Sequence, residues 1–267
     1  MKTAKFCLPH VAIWFFLVQA FWASPALLAQ VGPPRGLDTL PGRPLNVAYI
    51  NALRRATGTT AQKIAQLNYD SVDVFALAFA LVNTNGSLDL TYGNFDVYHP
   101  HLVAQAHAHS RSVLMSLTGD IETVSANTNS RLQLATNIAN TLQALNLDGV
   151  DFDWEWPNTT TERTNFTALM QSVHATVKSR STNYIVMFVQ GPGYWLAGTD
   201  WAAVRNYSDF CFCIAYDWKN PANGPIRKPG SIQFLGLNGG SIEASARGAI
   251  DYILGQGYPA SKLIVGF

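Results

Sequence analysis

Three carboxylic acids, Asp151, Asp153 and Glu155, stand at alternate positions in the run 147–157, which reads L-D-G-V-D-F-D-W-E-W-P. Successive side chains of an extended chain face opposite ways. The three acids therefore share one face, with Gly149 below them, while Phe152, Trp154 and Trp156 take the other. The rest of the run is apolar and aromatic, as expected of a strand covered on both sides rather than of a solvated acidic face. Carboxylates held close together out of water cannot all ionise, and the proton that stays is available for acid–base chemistry.

The elements around this run must place it. Apolar runs of strand length occur at 45–50, 72–80, 113–117, 184–189, 210–216 and 262–267. Between them lie segments of helical pattern: 60–67, 100–110, a stripe of Leu134, Ile138, Leu142 and Leu145 with Ser130 as N-cap, and a stripe of Phe166, Leu169, Met170, Val173 and Val177. A short helix at 201–207 follows, then a loop rich in Pro and Gly, then a helix marked by Ile242, Ala246, Ala249 and Ile253. Strands alternating with helices imply right-handed crossovers and a parallel sheet. No glycine-rich phosphate turn follows the first strand, so an α/β barrel is expected rather than a doubly wound sheet. In such barrels the working side chains sit at the C-terminal ends of the strands, which is where Glu155 falls.

Asp148, Gly149, Asp151, Asp153, Trp154 and Glu155 resemble the D-G-x-D-x-D-W-E signature of glycoside hydrolase family 18, the chitinases and their relatives. The resemblance implies the (β/α)8 TIM barrel. Seven strands are counted here, so the eighth strand and the last helices are expected to be missing, and the barrel is expected to be gapped between strands one and seven. It also implies hydrolysis of β-1,4 N-acetylglucosamine linkages in chitin or chito-oligosaccharides with retention, the sugar's own acetamido oxygen acting as nucleophile. Glu155 would be the general acid and then the base, Asp153 would hold the acetamido N–H, and Asp151 would share a proton with Asp153. Asp148 is expected to be structural. Tyr49 and Ser116 match family positions that bond the inner aspartates. Tyr216 and Asp217 match a Y-D pair that binds substrate, with Ile214 where the family has methionine. Phe79 and Trp156 complete the expected substrate-binding set, and Tyr194, Trp195 and Trp218 are further aromatic faces near the rim. The chain departs from the pattern at Thr118, in place of a glycine, and at Asp120, where many members carry a tryptophan that stacks a sugar. Two other readings stay open: an endo-β-N-acetylglucosaminidase acting on glycans, and a chitin-binding lectin or inactive fragment that does not cut.

Composition narrows the classes further. The chain has 267 residues, 48% hydrophobic and 13% charged, with a formal net charge of +1, which suits one globular domain with a large core and excludes a basic nucleic-acid binder. Residues 1–29 have the layout of a secretory signal peptide: Lys2 and Lys5, an apolar run from Val11 to Ala23, then small residues. An uncleaved anchor is the alternative, although Pro9, His10 and Gln19 interrupt the run. Residues 30–43, with Pro33, Pro34, Gly36, Pro41 and Gly42, read as a linker, leaving 44–267 as the catalytic barrel of a secreted monomer with no membrane contact after processing. Cys7 would leave with the signal, and Cys211 and Cys213 point the same way along one strand, as buried thiols rather than a disulfide. His99, His101, His107 and His109 cluster in sequence, but His107 and His109 do not share a helix face, so neither a metal nor a cofactor is expected.

Overall fold

The computed structural model describes residues 35–51, 53, 57–216, 233–235, 241–243 and 245–266. Their strands are β1 (Val47–Ile50), β2 (Val74–Val82), β3 (Leu88–Asp89), β4 (Ser112–Gly119), β5 (Gly149–Phe152), β6 (Ile185–Gln190), β7 (Phe210–Ile214), β8 (Gln233–Leu235), β9 (Ser241–Glu243) and β10 (Leu263–Gly266). The helices are α1 (Thr60–Ala65), α2 (Phe95–Ala108), α3 (Ile121–Ala126), α4 (Thr128–Ala144), α5 (Thr160–Arg180), α6 (Trp201–Val204) and α7 (Ala246–Gly255).

The main sheet runs in the order β1-β2-β4-β5-β6-β7-β10 with every pairing on that path parallel. It is a nearly closed (β/α)8-type barrel with seven strands on the path. The expected gap is present, since β1 and β10 are the two ends of that path. The short β3 turns back antiparallel on β2, and β8 and β9 form a separate antiparallel pair.

Alternation along the strands sorts the core into two layers. Ile185, Met187 and Val189 of β6 and Phe212 and Ile214 of β7 join Val74 and Leu114 in a cluster that, among the described residues, includes none from an α-helix, so it fills the barrel's interior. Their strand neighbours Val186, Phe188, Cys211 and Cys213 belong to the larger outer cluster with Leu134, Ile138, Phe166, Val173 and Ile253 from the helices. Both thiols are buried and unpaired. The described residues 35–43 of the expected linker cross the foot of the sheet: Leu37 N–H donates to Asn183 O at 3.0 Å, and Leu37 and Leu40 pack against the interior cluster.

Several expected boundaries shift. The acidic strand was expected to run through 157, but it ends at Phe152, and Asp153 adds only one more backbone bond, N–H to Leu117 O at 2.9 Å. Helix α4 starts at Thr128, capped by Asn127, whose side chain accepts from Ser130 N–H, so Ser130 lies inside the helix. Ile242 belongs to β9, and α7 begins four residues later behind the Ser245 cap. Pro100 lies inside α2 rather than at its start. Helix α5 is longer than its apolar stripe because a Thr159–Glu162 capping box satisfies the first-turn donors.

Candidate functional site

The D-G pair that opens β5 has its physical reason at the foot of the barrel. Asp148, fully buried, accepts from Arg35 N–H at 2.7 Å, Val113 N–H at 2.7 Å and His107 Nε2 at 2.8 Å. It therefore ties the incoming chain, β4 and α2 to the start of β5, in keeping with the structural role expected for it. A Cβ on Gly149 would stand 2.2 Å from Ile185 O, so only glycine lets β5 lie this close to β6. The His107 partnership was not foreseen. His109 stacks on Tyr69 with ring centroids 4.7 Å apart, and His99 lies over Phe95, so these histidines are spent on separate contacts.

At the other end the same strand delivers the acids. Asp151 points into the barrel, fully buried, and its Oδ2 accepts from Tyr49 Oη at 2.9 Å and Ser116 Oγ at 2.7 Å. Burial pushes Asp151 up to about 6 against the pull of those two donors. Asp153 is pushed up to about 7, first by burial, then by the charges of Asp151 and Glu155, and by a side-chain hydrogen bond with Glu155. The second oxygen of each aspartate, Oδ1, is buried without a partner among the described residues, so ionising both would leave two anionic atoms uncompensated by those residues. Tyr49 is raised well above the ordinary phenol value by burial and by the Asp151 charge. The result is a graded series: a sealed and anchored Asp151, a half-buried Asp153 that keeps its proton near neutrality, and an exposed Glu155.

Glu155 and Asp153 open into a cleft of about 480 Å³ that is also lined by Phe79, Thr118, Gly119, Asp120, Glu122, Thr123 and Trp154. Phe79 is brought there by a bulge in β2, where the register against β4 skips from Ala78 to Ala80. The peptide bonds Ala78–Phe79 and Glu155–Trp156 are cis. Among the described residues, four carboxylates, Asp120, Glu122, Asp153 and Glu155, line this cleft, and no lysine or arginine does. Glu122 and Thr123 belong to α3, a short helix that its sequence does not announce because six residues hold too few turns to show a period.

The remaining expected residues fall in different places. Trp156 was expected on the face of Phe152 and Trp154. It packs instead against the interior cluster, because the alternation lapses once the strand has ended. Its ring lies against Gly191, where a Cβ would come within 2.8 Å, and 6.2 Å from the Trp195 ring. Trp195 in turn packs on Tyr194 at 4.4 Å, and the buried Gln190 holds this loop by donating to Trp195 O at 3.1 Å and accepting from Thr199 Oγ1 at 2.6 Å. That anchoring glutamine was read only as the end of a strand. Tyr216 is 37% exposed. Asp217 and Trp218 lie outside the described residues.

The model described as glycosyl hydrolases family 18 matches residues 47–267. A class V chitinase of Arabidopsis thaliana is 25% identical over 172 residues, covering 59% of this chain and 44% of its own. The secreted chitinase LysM12 of Penicillium expansum is 28% identical over 153 residues, covering 51% of this chain and 10% of its own. The chain thus spans less than half the length of these two relatives. Among solved structures, the class V chitinase from Nicotiana tobaccum in complex with NAG4 superposes with a TM-score of 0.70 at 16% identity, covering 84% of this chain and 66% of that one.

Proposed function

The chain belongs to family 18 of the glycosyl hydrolases, and on that premise we propose that it hydrolyses β-1,4 N-acetylglucosamine linkages of chitin or chito-oligosaccharides, with Glu155 as the proton donor. The observation that carries this reading is the graded acid series, in which protonation is favoured inside the barrel and an exposed carboxyl meets the cleft. Glu155 gives its proton to the glycosidic oxygen as the bond from that oxygen to the anomeric carbon breaks. The substrate's acetamido oxygen closes on the same carbon, forming a cyclic oxazolinium ion, and Asp153 accepts the acetamido N–H. Water then attacks the anomeric carbon, its proton returns to Glu155, and the configuration is retained. Asp151, fixed by Tyr49 and Ser116, holds the proton balance of Asp153 through these steps. Phe79 offers its ring inside the cleft, while Trp156, packed against the interior cluster, and the part-exposed Tyr216 would serve as further substrate contacts.

The resemblance to a secreted chitinase and the layout of residues 1–29 support export from the cell. Among the described residues no helix is long and apolar enough to cross a membrane.

Chromogenic chitobiose and chitotriose test the reading. Turnover by the unaltered chain, reduced about 10²- to 10⁴-fold in Glu155→Gln, is the expected result. Chitin binding without turnover in either protein would replace hydrolysis with a lectin function.

A further inference from the structure

The sequence holds the triplet Asn-X-Ser/Thr, with X other than proline, at Asn85-Gly86-Ser87, Asn158-Thr159-Thr160, Asn165-Phe166-Thr167 and Asn206-Tyr207-Ser208. This is the acceptor pattern for N-linked oligosaccharide, and a folded protein accommodates the bulky, hydrated glycan only on its surface. The structure separates the four. Asn85, Asn158 and Asn206 are exposed and lie outside helices and strands. Asn165 is half-buried inside α5, next to Phe166, which is 3% exposed in the core.

Local geometry agrees with this sorting. Asn85 sits in the turn that joins β2 to β3, and its Oδ1 accepts from Ser87 N–H at 2.9 Å. That bond engages Oδ1 and not Nδ2, the atom that would carry the sugar. Asn158 lies in the connection from β5 to α5, three residues after Glu155, and Thr160, its hydroxyl partner in the triplet, is also exposed. Asn206 lies in the turn before β7. Its partner Ser208 is buried in the folded chain, donating to Val204 O at 2.9 Å and paired with Tyr258 Oη at 3.0 Å. Transfer at Asn206 therefore belongs to the time before folding, while the triplet is still accessible.

We propose that Asn85, Asn158 and Asn206 are acceptors for N-linked oligosaccharide, attached as the chain is exported. The donor class is a lipid-pyrophosphate-linked oligosaccharide. The bond between the sugar's C1 and the phosphate oxygen breaks, a bond from C1 to Nδ2 forms, and one Nδ2 proton is lost as the lipid pyrophosphate leaves. Two of the sites, Asn85 and Asn158, follow the C-terminal ends of β2 and β5, so their glycans flank the face on which the cleft opens. Asn206 precedes β7 and carries its glycan on the opposite face.

The proposal rests on the export reading, and the test separates the two. The full chain is expressed in a yeast secretion host in two forms, one with its own leading residues and one with the host's secretion leader fused in front. Release of glycans by peptide N-glycosidase in heavy-oxygen water converts each modified asparagine into a mass-labelled aspartate, read peptide by peptide. Labels at Asn85, Asn158 and Asn206 are expected, with Asn158→Gln, Asn85→Gln and Asn206→Gln each removing one glycan step in gel mobility. Exported chain unlabelled at a site overturns the proposal for that site, while export itself stands. Retention of the first form, with the fused form exported and labelled, overturns export and upholds the acceptor sites.

Discussion

Asp151 and Asp153 carry raised carboxyls for the same main reason, burial, and this sets a pH dependence of stability with a definite sign. In the unfolded chain both lose their protons near the ordinary aspartate value, whereas in the folded chain they hold them to about 6 and about 7. The folded state thus binds more protons between those limits. Their contribution to stability is fully present below about pH 4, is lost as pH rises towards about 7, and levels off beyond. Urea midpoints measured from pH 4 to 8 should fall across that window, and Asp153→Asn should flatten the fall. An unchanged slope in that variant would remove Asp153 from the account. The graded protonation was legible only in outline: alternation put three acids on one face, but their different burial depends on where the strand stops. Tyr49 and Ser116 were placed beside the inner aspartates by family likeness, and the structure sets both against one oxygen of Asp151.

At the scale of one element, β5 shows which parts of the fold a sequence discloses. Its apolar core and the helices on either side were visible as periodic runs, and six of the strand runs fall within a few residues of observed strands. What escaped notice were features without a period: the bulge that turns Phe79 into the cleft, the one-and-a-half-turn α3, the end of β5 at Phe152, and the β8–β9 pair within a stretch read as loop and helix. The foot of β5 yields two predictions. Gly149→Ala forces a Cβ against a backbone oxygen that has no rotamer to yield, so a loss of about 1–3 kcal/mol or more is expected in chemical denaturation. Asp148→Ala strands three donors and should cost about 3 kcal/mol or more, again read in the denaturation midpoint. Neither residue touches the cleft, so any folded fraction of either variant should keep its pH profile of turnover.

For the molecule as a whole, the order of the parallel sheet dictates a gradient of local stability. Among the described residues, β4, β5 and β6 have strand neighbours on both sides, while β1 and β10 each have one. Native-state hydrogen exchange should find the slowest amides in β4 to β6 and the fastest strand amides in β1 and β10. Uniform protection across all seven would mean that the two ends are covered in solution by something beyond these strands. The barrel class followed from the strict alternation of elements, and the gap followed from counting them. The docking of residues 35–43 across the foot of the sheet did not, because proline and glycine spell a linker whether or not a surface lies beneath it.

One four-residue strand is bolted at its root and armed at its tip, and this has a practical consequence for genetics. A saturation screen scored by colour alone would report most of the motif as indispensable. Two of those hits would be carpentry, the hinge-pin aspartate and the glycine that fits a crevice, and only a parallel assay for soluble, folded product would sort the joinery from the proposed reagents.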